Sequence, residues 1–471
     1  MSSPKPNEER TLGALLAPDI LVILEESPQD VGVETEELHP ADLADVAEAL
    51  PREKVRALFD ALPAERAADV LEYLNEDLRT ELLEAMPAED AAELVEEMSP
   101  DERADVLETL DEDVAEEILD ELEPEDRRET EALLAFEPDT AGGLMTTEFV
   151  SVRQELSVED AVTEVRAIAR GGRKEVLYAI YATDGQGHVT GVLSLKELLA
   201  APGGAKIEDV MWTDVRAVQV GADREEVARL TSEYDLVALP VVDPQRRLLG
   251  VVTVDDVIDV IQREQTEDVQ KLGGMEAIEE PYLDTSFGTM LRKRAGWLAI
   301  LLVGEMLTAS AMGYFEDELQ KALVLSLFVP LIISSGGNSG SQATSLIIRA
   351  LALREVRGRD WLRVAARELP TGLVLGLILG ALGLLRVLAW QWLGIYDHGE
   401  HYLRVAITVG LSLVGVVTFG SLAGSMLPFA LRRVGFDPAS ASAPFVATLV
   451  DVTGLVIYFG MAVLLLRGTL L

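Results

Sequence analysis

The sequence contains no cysteine, which excludes disulfides and thiolate metal sites. It has only four histidines, His39, His188, His398 and His401, too few and too scattered for a zinc or copper centre. His398 and His401 fall in a short polar loop and read as solvated side chains. Basic residues are scarce: 39 Lys+Arg stand against 82 Asp+Glu, a net charge of −43. A surface so acidic repels nucleic acid and anionic lipid, so DNA and RNA are poor partners. No G-x-x-x-x-G-K-[ST] run and no nucleophile–base set occurs, which argues against nucleotide hydrolysis and against an enzyme. The first twenty residues lack the charged-then-apolar pattern of a secretory signal, so the soluble part is expected in the cytoplasm. With thiolates and imidazoles excluded, any metal is a hard one held by oxygens, such as Mg²⁺, Ca²⁺ or Mn²⁺.

The acidity is unevenly spread. Residues 1–280 contain 70 Asp+Glu and 24 Lys+Arg, whereas residues 281–471 contain 12 and 15. The two parts suit different solvents. Within the first part an apolar residue recurs every twelve positions: Leu38, Leu50, Leu62, Leu74, Met86, Met98, Leu110 and Leu122. Behind each comes a breaker or capping pair such as PREK, PAER or SPDE, a helix-start signature. The pattern predicts a stack of short helices, each too short to stand alone, wound into a superhelix. Most of its acids read as a solvated face, but Asp101 and Asp105, four apart, are placed on one helix face.

From residue 139 the chain turns to β-branched runs separated by Gly turns, and it repeats itself. Gly191-Val-Leu-Ser-Leu-Lys-Glu-Leu parallels Gly250-Val-Val-Thr-Val-Asp-Asp-Val, and Met145-Thr-Thr-Glu parallels Met211-Trp-Thr-Asp. Helix, strand, turn, strand and helix, occurring twice, resembles a pair of CBS domains, which implies a ligand-sensing module, commonly for adenine nucleotides. Asp255, Asp256, Asp259, Glu264, Glu267 and Asp268 then crowd one helix-like run that leads to the apolar part. Like charges at i,i+4 destabilise a bare helix by a few tenths of a kcal/mol each, and a divalent cation would relieve that. Gly273-Gly274 and Pro281 are expected to end this helix.

Five apolar spans follow, at about 295–315, 322–350, 369–390, 403–427 and 441–466. Basic residues precede span one and fill the loops after spans two and four, so the positive-inside rule puts the N-terminus inside and the C-terminus outside. Span two contains Pro330-Leu-Ile-Ile-Ser-Ser-Gly-Gly-Asn-Ser-Gly-Ser-Gln342. Its Pro and Gly are expected to open the helix and expose carbonyl oxygens beside Asn338 and Gln342, which is tolerated where backbone lines a wet cavity; helix packing through small residues is the competing reading. Glu305 in span one reads as a polar contact in the outer half. Asp451 sits near the middle of span five with no Lys or Arg on that segment nearer than Arg467. A charge there costs roughly 2.5–3.5 kcal/mol on insertion scales, so such an acid is a functional candidate by default.

Taken together, the twelve-residue acidic repeats, AGGLMT at 141–146, the CBS pair, VTVDDV at 252–257 with TEDVQKLG after it, PLIISSGGNSGSQ at 330–342, and DPA…PFVATLVDVTG at 437–454 resemble the MgtE magnesium transporters from about residue 36 to the end. The resemblance implies a multi-domain membrane protein: an N-terminal extension (1–35), an all-α superhelical repeat domain (36–138), α/β tandem CBS domains (139–203 and 204–262), a connecting plug helix (263–285, its acidic run beginning at 255) and an α-helical transmembrane pore domain of five spans (286–471). It implies a homodimeric Mg²⁺ channel of the cell membrane with Asp451 as pore carboxylate and Gly336, Gly337, Asn338 and Gln342 lining the pore. Val450 stands where a polar residue often precedes that acid. The resemblance also implies closure by intracellular Mg²⁺ at Asp255, Asp256, Asp259, Glu264, Glu267 and Asp268 with Asp437, at Glu225 and Asp235, and at Asp101 and Asp105, with ATP as a candidate ligand of the CBS pair. A broader Co²⁺/Mn²⁺ channel and a CBS-based membrane receptor or scaffold are the alternatives.

Overall fold

The computed structural model describes residues 12–170, 176–278, 282–283 and 285–470. The expected break at Pro281 and the first eleven residues lie outside them. The chain divides into two compact units at Ile261/Gln262.

In the first unit, eight helices of nine or ten residues follow one another from Pro40–Ala49 to Pro124–Leu133. The recurring apolar residue stands at or just beyond each helix end, and Leu50, Leu62, Leu74, Met98, Leu110 and Leu122 are buried there. Leu50, Leu62, Leu110 and Leu122 leave the helix in extended backbone, so the next Pro, Asn or acid starts a new helix in a new direction. Such helices are too short to persist alone, and their stability comes from the shared core. That core also contains Ala17, Ile20 and Leu24, from a helix Leu12–Glu26 that the sequence reading had left as an extension. Arg103, 2 % exposed, ties two repeat helices by an ion pair to Asp126 at 3.0 Å.

The same unit contains two three-stranded sheets of identical order. In the first, β1 (Phe149–Arg153) runs parallel to β2 (Val176–Thr183), which pairs antiparallel with β3 (Val189–Ser194). In the second, β4 (Val218–Gln219), β5 (Ala238–Val242) and β6 (Leu248–Thr253) repeat the arrangement. The buried hydroxyl of Tyr181 on β2 donates to the Ala238 carbonyl on β5 at 3.2 Å and links the sheets. The connecting helix starts at Val254, directly after β6, and stops at Leu272. It therefore begins nine residues before the expected 263 and includes the acidic run from Asp255; Gly273 and Gly274 form the turn that ends it, Gly274 at φ +77° where a side chain would be strained.

Among the described residues the second unit has five helices long and apolar enough to cross a membrane: Phe287–Tyr314, Leu323–Ala352, Gly358–Trp392, Tyr402–Val434 and Ala443–Leu466. Glycine sets how closely they pack. A Cβ on Gly372, Gly376 or Gly380 of span three would come within 2.9 Å of span four, twice against backbone. A Cβ on Gly420 or Gly424 of span four would meet the carbonyl oxygens of Gly336 and Gly340 of span two at 2.5 and 2.2 Å. These are small-xxx-small seams, in which helix backbones approach directly and van der Waals contact supplies the attraction that lipid cannot.

Candidate functional site

Span two does not open. The α-helix is continuous from Val329 to Ala352, straight through Pro330 and the glycine run. Pro330 lies in the first turn, where a missing N–H costs nothing. Gly336 and Gly340 are buried against Val416, Val446, Val450 and the Gly420 carbonyl. Their smallness is used for packing, which corrects the expectation of exposed carbonyls. Val450, the apolar residue before the intramembrane acid, is part of this packing, fully buried against Gly336. Asn338 and Gln342 are on the exposed side of the same helix, with Asn338 Nδ2 3.5 Å from Ser334 Oγ.

Asp451 lies two turns into span five, half-buried. A Cβ on Gly337 would stand in ordinary contact with its Oδ1, at 3.7 Å, so this carboxylate lies beside the span-two backbone. Among the described residues Asp451 makes no hydrogen bond and no ion pair. Its charged neighbour is another acid, Glu305 of span one. Two contacts fix the register of spans one and five: Trp297 Nε1 donates to Ser442 Oγ at 3.3 Å, and a Cβ on Gly304 would meet Thr448 Cγ2 at 2.8 Å. Those contacts bring Glu305 level with Asp451, so Glu305 belongs to the neighbourhood of the pore candidate and not to a separate outer contact.

The predicted cytosolic acids fall into distinct groups. Glu264, Glu267 and Asp268, on the last turns of the connecting helix, come together with Asp437. Asp437 caps the short helix Pro438–Ser440 before span five, accepting from Ala439 N at 2.8 Å. Burial, Asp437 and Glu264 push the Asp268 carboxyl up to about 6. Lys271 stands among these acids, bonding Asp437 Oδ2 at 2.7 Å and also the Glu267 carboxylate.

In the first unit Asp101 is 8 % exposed and its Oδ1 has no partner among the described residues, whereas Asp105 is exposed. The shared helix face is therefore split between interior and solvent. Glu102, which sequence reading missed, is the sharper residue: burial, then the charges of Asp101, Glu72, Asp105 and Asp256, push it up to about 9. Asp256 accepts from the Thr253 hydroxyl at the start of the connecting helix, while Asp255 and Asp259 are exposed. Glu225 and Asp235 sit at opposite ends of the helix Arg224–Tyr234, the latter in the left-handed conformation at its C-cap. At 1.5 Å per residue that separates them by roughly 15 Å, so one chain does not bring them together. Among the described residues no group of three or more His, Asp or Glu side chains is gathered in metal-holding geometry.

A cavity of about 210 Å³ lies between the two sheets, lined by Tyr181, Asp214, Arg216, Tyr234 and Pro240. The Arg216 guanidinium stacks 4.6 Å from the Tyr234 ring centroid. His398 is also not the solvated residue the sequence suggests. It is 5 % exposed, stacked on Phe328 and edge-on to Tyr396, with its backbone N–H held by Gln391 Oε1 at 2.7 Å. Burial and the Arg386 charge push its pKa down.

Comparison with known proteins bears on all of these regions. The family model described as divalent cation transporter matches residues 329–461, the MgtE intracellular N domain matches 38–139, and the CBS domain matches 141–204 and 207–263. The chain is 44 % identical over 340 residues to the magnesium transporter MgtE of Thermus thermophilus, covering 72 % of this chain and 73 % of that one. It is 36 % identical over 342 residues to that of Enterococcus faecalis, covering 72 % of each. Among solved structures it resembles the soluble part of a magnesium transporter (32 % identity, 54 % of this chain and 99 % of that one, TM-score 0.50). It also resembles the cytosolic domain of the Mg²⁺ channel MgtE in complex with ATP (38 % identity, 52 % and 99 %, TM-score 0.50).

Proposed function

The chain belongs to the MgtE family of magnesium transporters, and from that premise we propose that it is a homodimeric channel conducting Mg²⁺ into the cell through a pore at Asp451, closed by Mg²⁺ held among its cytosolic acids. The observation that carries this reading is an intramembrane carboxylate that makes no hydrogen bond and no ion pair among the described residues, beside Gly337 of span two. An acid at that depth is costly and by default marks a functional site. A hydrated Mg²⁺ gives up water reluctantly and prefers octahedral geometry, so a carboxylate that attracts the ion without stripping it suits conduction. Gly336 and Gly337 keep span two close, and Asn338 and Gln342 offer neutral oxygens from its exposed side. A second copy of the chain would supply the facing Asp451.

The regulatory part follows from charge. Glu264, Glu267, Asp268 and Asp437 crowd one another, as do Asp101, Glu102 and Asp256; Asp105, Asp255, Asp259, Glu225 and Asp235 add oxygens that a second copy can complete. Burial first, and the neighbouring acids after it, raise the Asp268 and Glu102 carboxyls. Divalent ions bound there favour the crowded, closed arrangement, and this works only because they bind it more tightly than the open one. The CBS pair is read as a nucleotide site on its likeness to the cytosolic domain of the Mg²⁺ channel MgtE in complex with ATP, with Arg216 in the cavity between the sheets as the guanidinium for phosphate. The N-terminal units lie in the cytoplasm and the C-terminus outside.

The test is Mg²⁺ influx into liposomes containing the purified chain, at fixed driving force, with cytosolic-side Mg²⁺ varied from micromolar to ~10 mM, a range set around weak carboxylate sites. Wild-type flux falls as that Mg²⁺ rises, and Asp451→Asn abolishes flux while the protein still elutes as a folded species. Flux indifferent to cytosolic Mg²⁺ refutes the sensor; no flux at any concentration favours the receptor reading. Equal Co²⁺ or Mn²⁺ flux shifts the assignment to a broader divalent channel.

A further inference from the structure

Lys271 lies one turn beyond Glu267 on the connecting helix. Its ammonium bonds Asp437 Oδ2 at 2.7 Å and at the same time the Glu267 carboxylate. Glu267 belongs to the helix, whereas Asp437 caps the short helix that leads into span five. A lysine ammonium is a compact point charge with three donors on a flexible stem, able to hold two carboxylates at once. The three side chains keep between 24 and 39 % of their exposure, so the cluster is sheltered but open to ions. Glu264 and Asp268 complete the surroundings, giving four carboxylates and one cation.

Resting on the reading of Glu267 and Asp437 as sensor acids, we infer that Lys271 is a tethered competitor of the regulatory cation: it holds these two carboxylates together when no divalent ion is bound, and the ion must displace it to bind. An ammonium and a divalent ion at the same two carboxylates repel one another. The lysine therefore does two opposed things. It ties the connecting helix to the entrance of span five in the metal-free state, and it raises the Mg²⁺ concentration needed to take over that tie. It is a positioning residue whose charge sets the closing threshold.

The experiment compares wild type, Lys271→Met and Lys271→Arg as full-length proteins in liposomes, again reading Mg²⁺ flux against cytosolic-side Mg²⁺. Losing two partly exposed ion pairs together shifts an equilibrium by about three- to tenfold. Lys271→Met is expected to half-close at about three- to tenfold lower Mg²⁺ and to conduct more at the lowest Mg²⁺ tested, whereas Lys271→Arg keeps both near wild type. In an Asp437→Asn background, Lys271→Met shifts the midpoint by less than in wild type, because the shared partner has lost its charge. A wild type that closes with Mg²⁺ but a Lys271→Met midpoint unmoved or raised overturns this inference alone. A wild type indifferent to cytosolic Mg²⁺ overturns the sensor reading on which it rests. Should Lys271→Met fail to elute as a folded species, Lys271→Gln answers the same question with a hydrogen-bonding but uncharged side chain.

Discussion

Replacing Gly424 by alanine tests the packing that surrounds the pore candidate. The new Cβ would lie 2.2 Å from the Gly340 carbonyl oxygen, 2.8 Å from that carbonyl carbon and 2.8 Å from Thr344 Oγ1. An ordinary contact needs about 3.4 Å, so spans two and four must separate locally by about 1 Å, and backbone cannot swing aside as a side chain can. Overpacking of this kind costs about 1–3 kcal/mol. The Thr344 hydroxyl bonds both the Gly340 and Gly424 carbonyls, at 3.0 and 2.9 Å, and disturbing an interhelical bond in a membrane adds about 0.6 kcal/mol. The expected loss is about 2–4 kcal/mol, read as a clear drop in the thermal midpoint of the detergent-solubilised protein by size-exclusion recovery after heating. Gly313→Ala, where a Cβ meets nothing within 4 Å, is the matched control; helix propensity alone predicts a small gain there, about 0.5–1 kcal/mol. Equal midpoints for Gly424→Ala and wild type would refute the claim that spans two and four pack backbone to backbone at this glycine seam.

Two further outcomes follow from charge. Glu102 is raised to about 9 when folded, above its unfolded value, so its contribution is complete below about pH 4.5, declines above that and is gone once pH passes about 9. The Glu102 contribution to stability should therefore fall between pH 5 and 9 by up to ~1.4 kcal/mol per pH unit, lowering the thermal midpoint as pH rises, and Glu102→Gln should flatten that slope; an unchanged slope refutes it. His398 is displaced the other way, its pKa lowered by burial and Arg386, so its contribution is present above about pH 6.5 and is lost as pH falls further. Protease protection of the 391–402 loop should weaken below pH 6 in the wild type and not in His398→Gln.

The parts that were legible from sequence are those coded locally. Pro, Asn or Asp at the start of each acidic run and an apolar residue every twelve positions were enough to lay out the repeat helices, and long apolar runs gave the five spans. The helix Leu12–Glu26 was overlooked although Leu16, Ala17, Ile20 and Leu24 carry its 3.6-residue period. The remaining errors depend on partners distant in sequence. Gly336 and Gly340 face Gly420 and Gly424, and only that pairing distinguishes a packed helix from an opened one. His398 is buried by Phe328, and Glu102 is perturbed by Asp256; no local pattern announces either. Glu305 was visible as an intramembrane acid, but its level beside Asp451 depends on how spans one and five register.

The acids crowding the exposed faces of the repeat helices have a consequence beyond repulsion. A surface with 70 acidic and 24 basic residues over 280 positions gathers its own atmosphere of cations, denser than bulk and about 8 Å deep at physiological ionic strength. Potassium and magnesium compete to fill that layer. On the sensor reading, the regulatory sites equilibrate with this atmosphere, so what they register is magnesium weighed against the salt around it. On that same reading, raising potassium at constant magnesium thins the magnesium share of the layer, and the sites would register the change as scarcity.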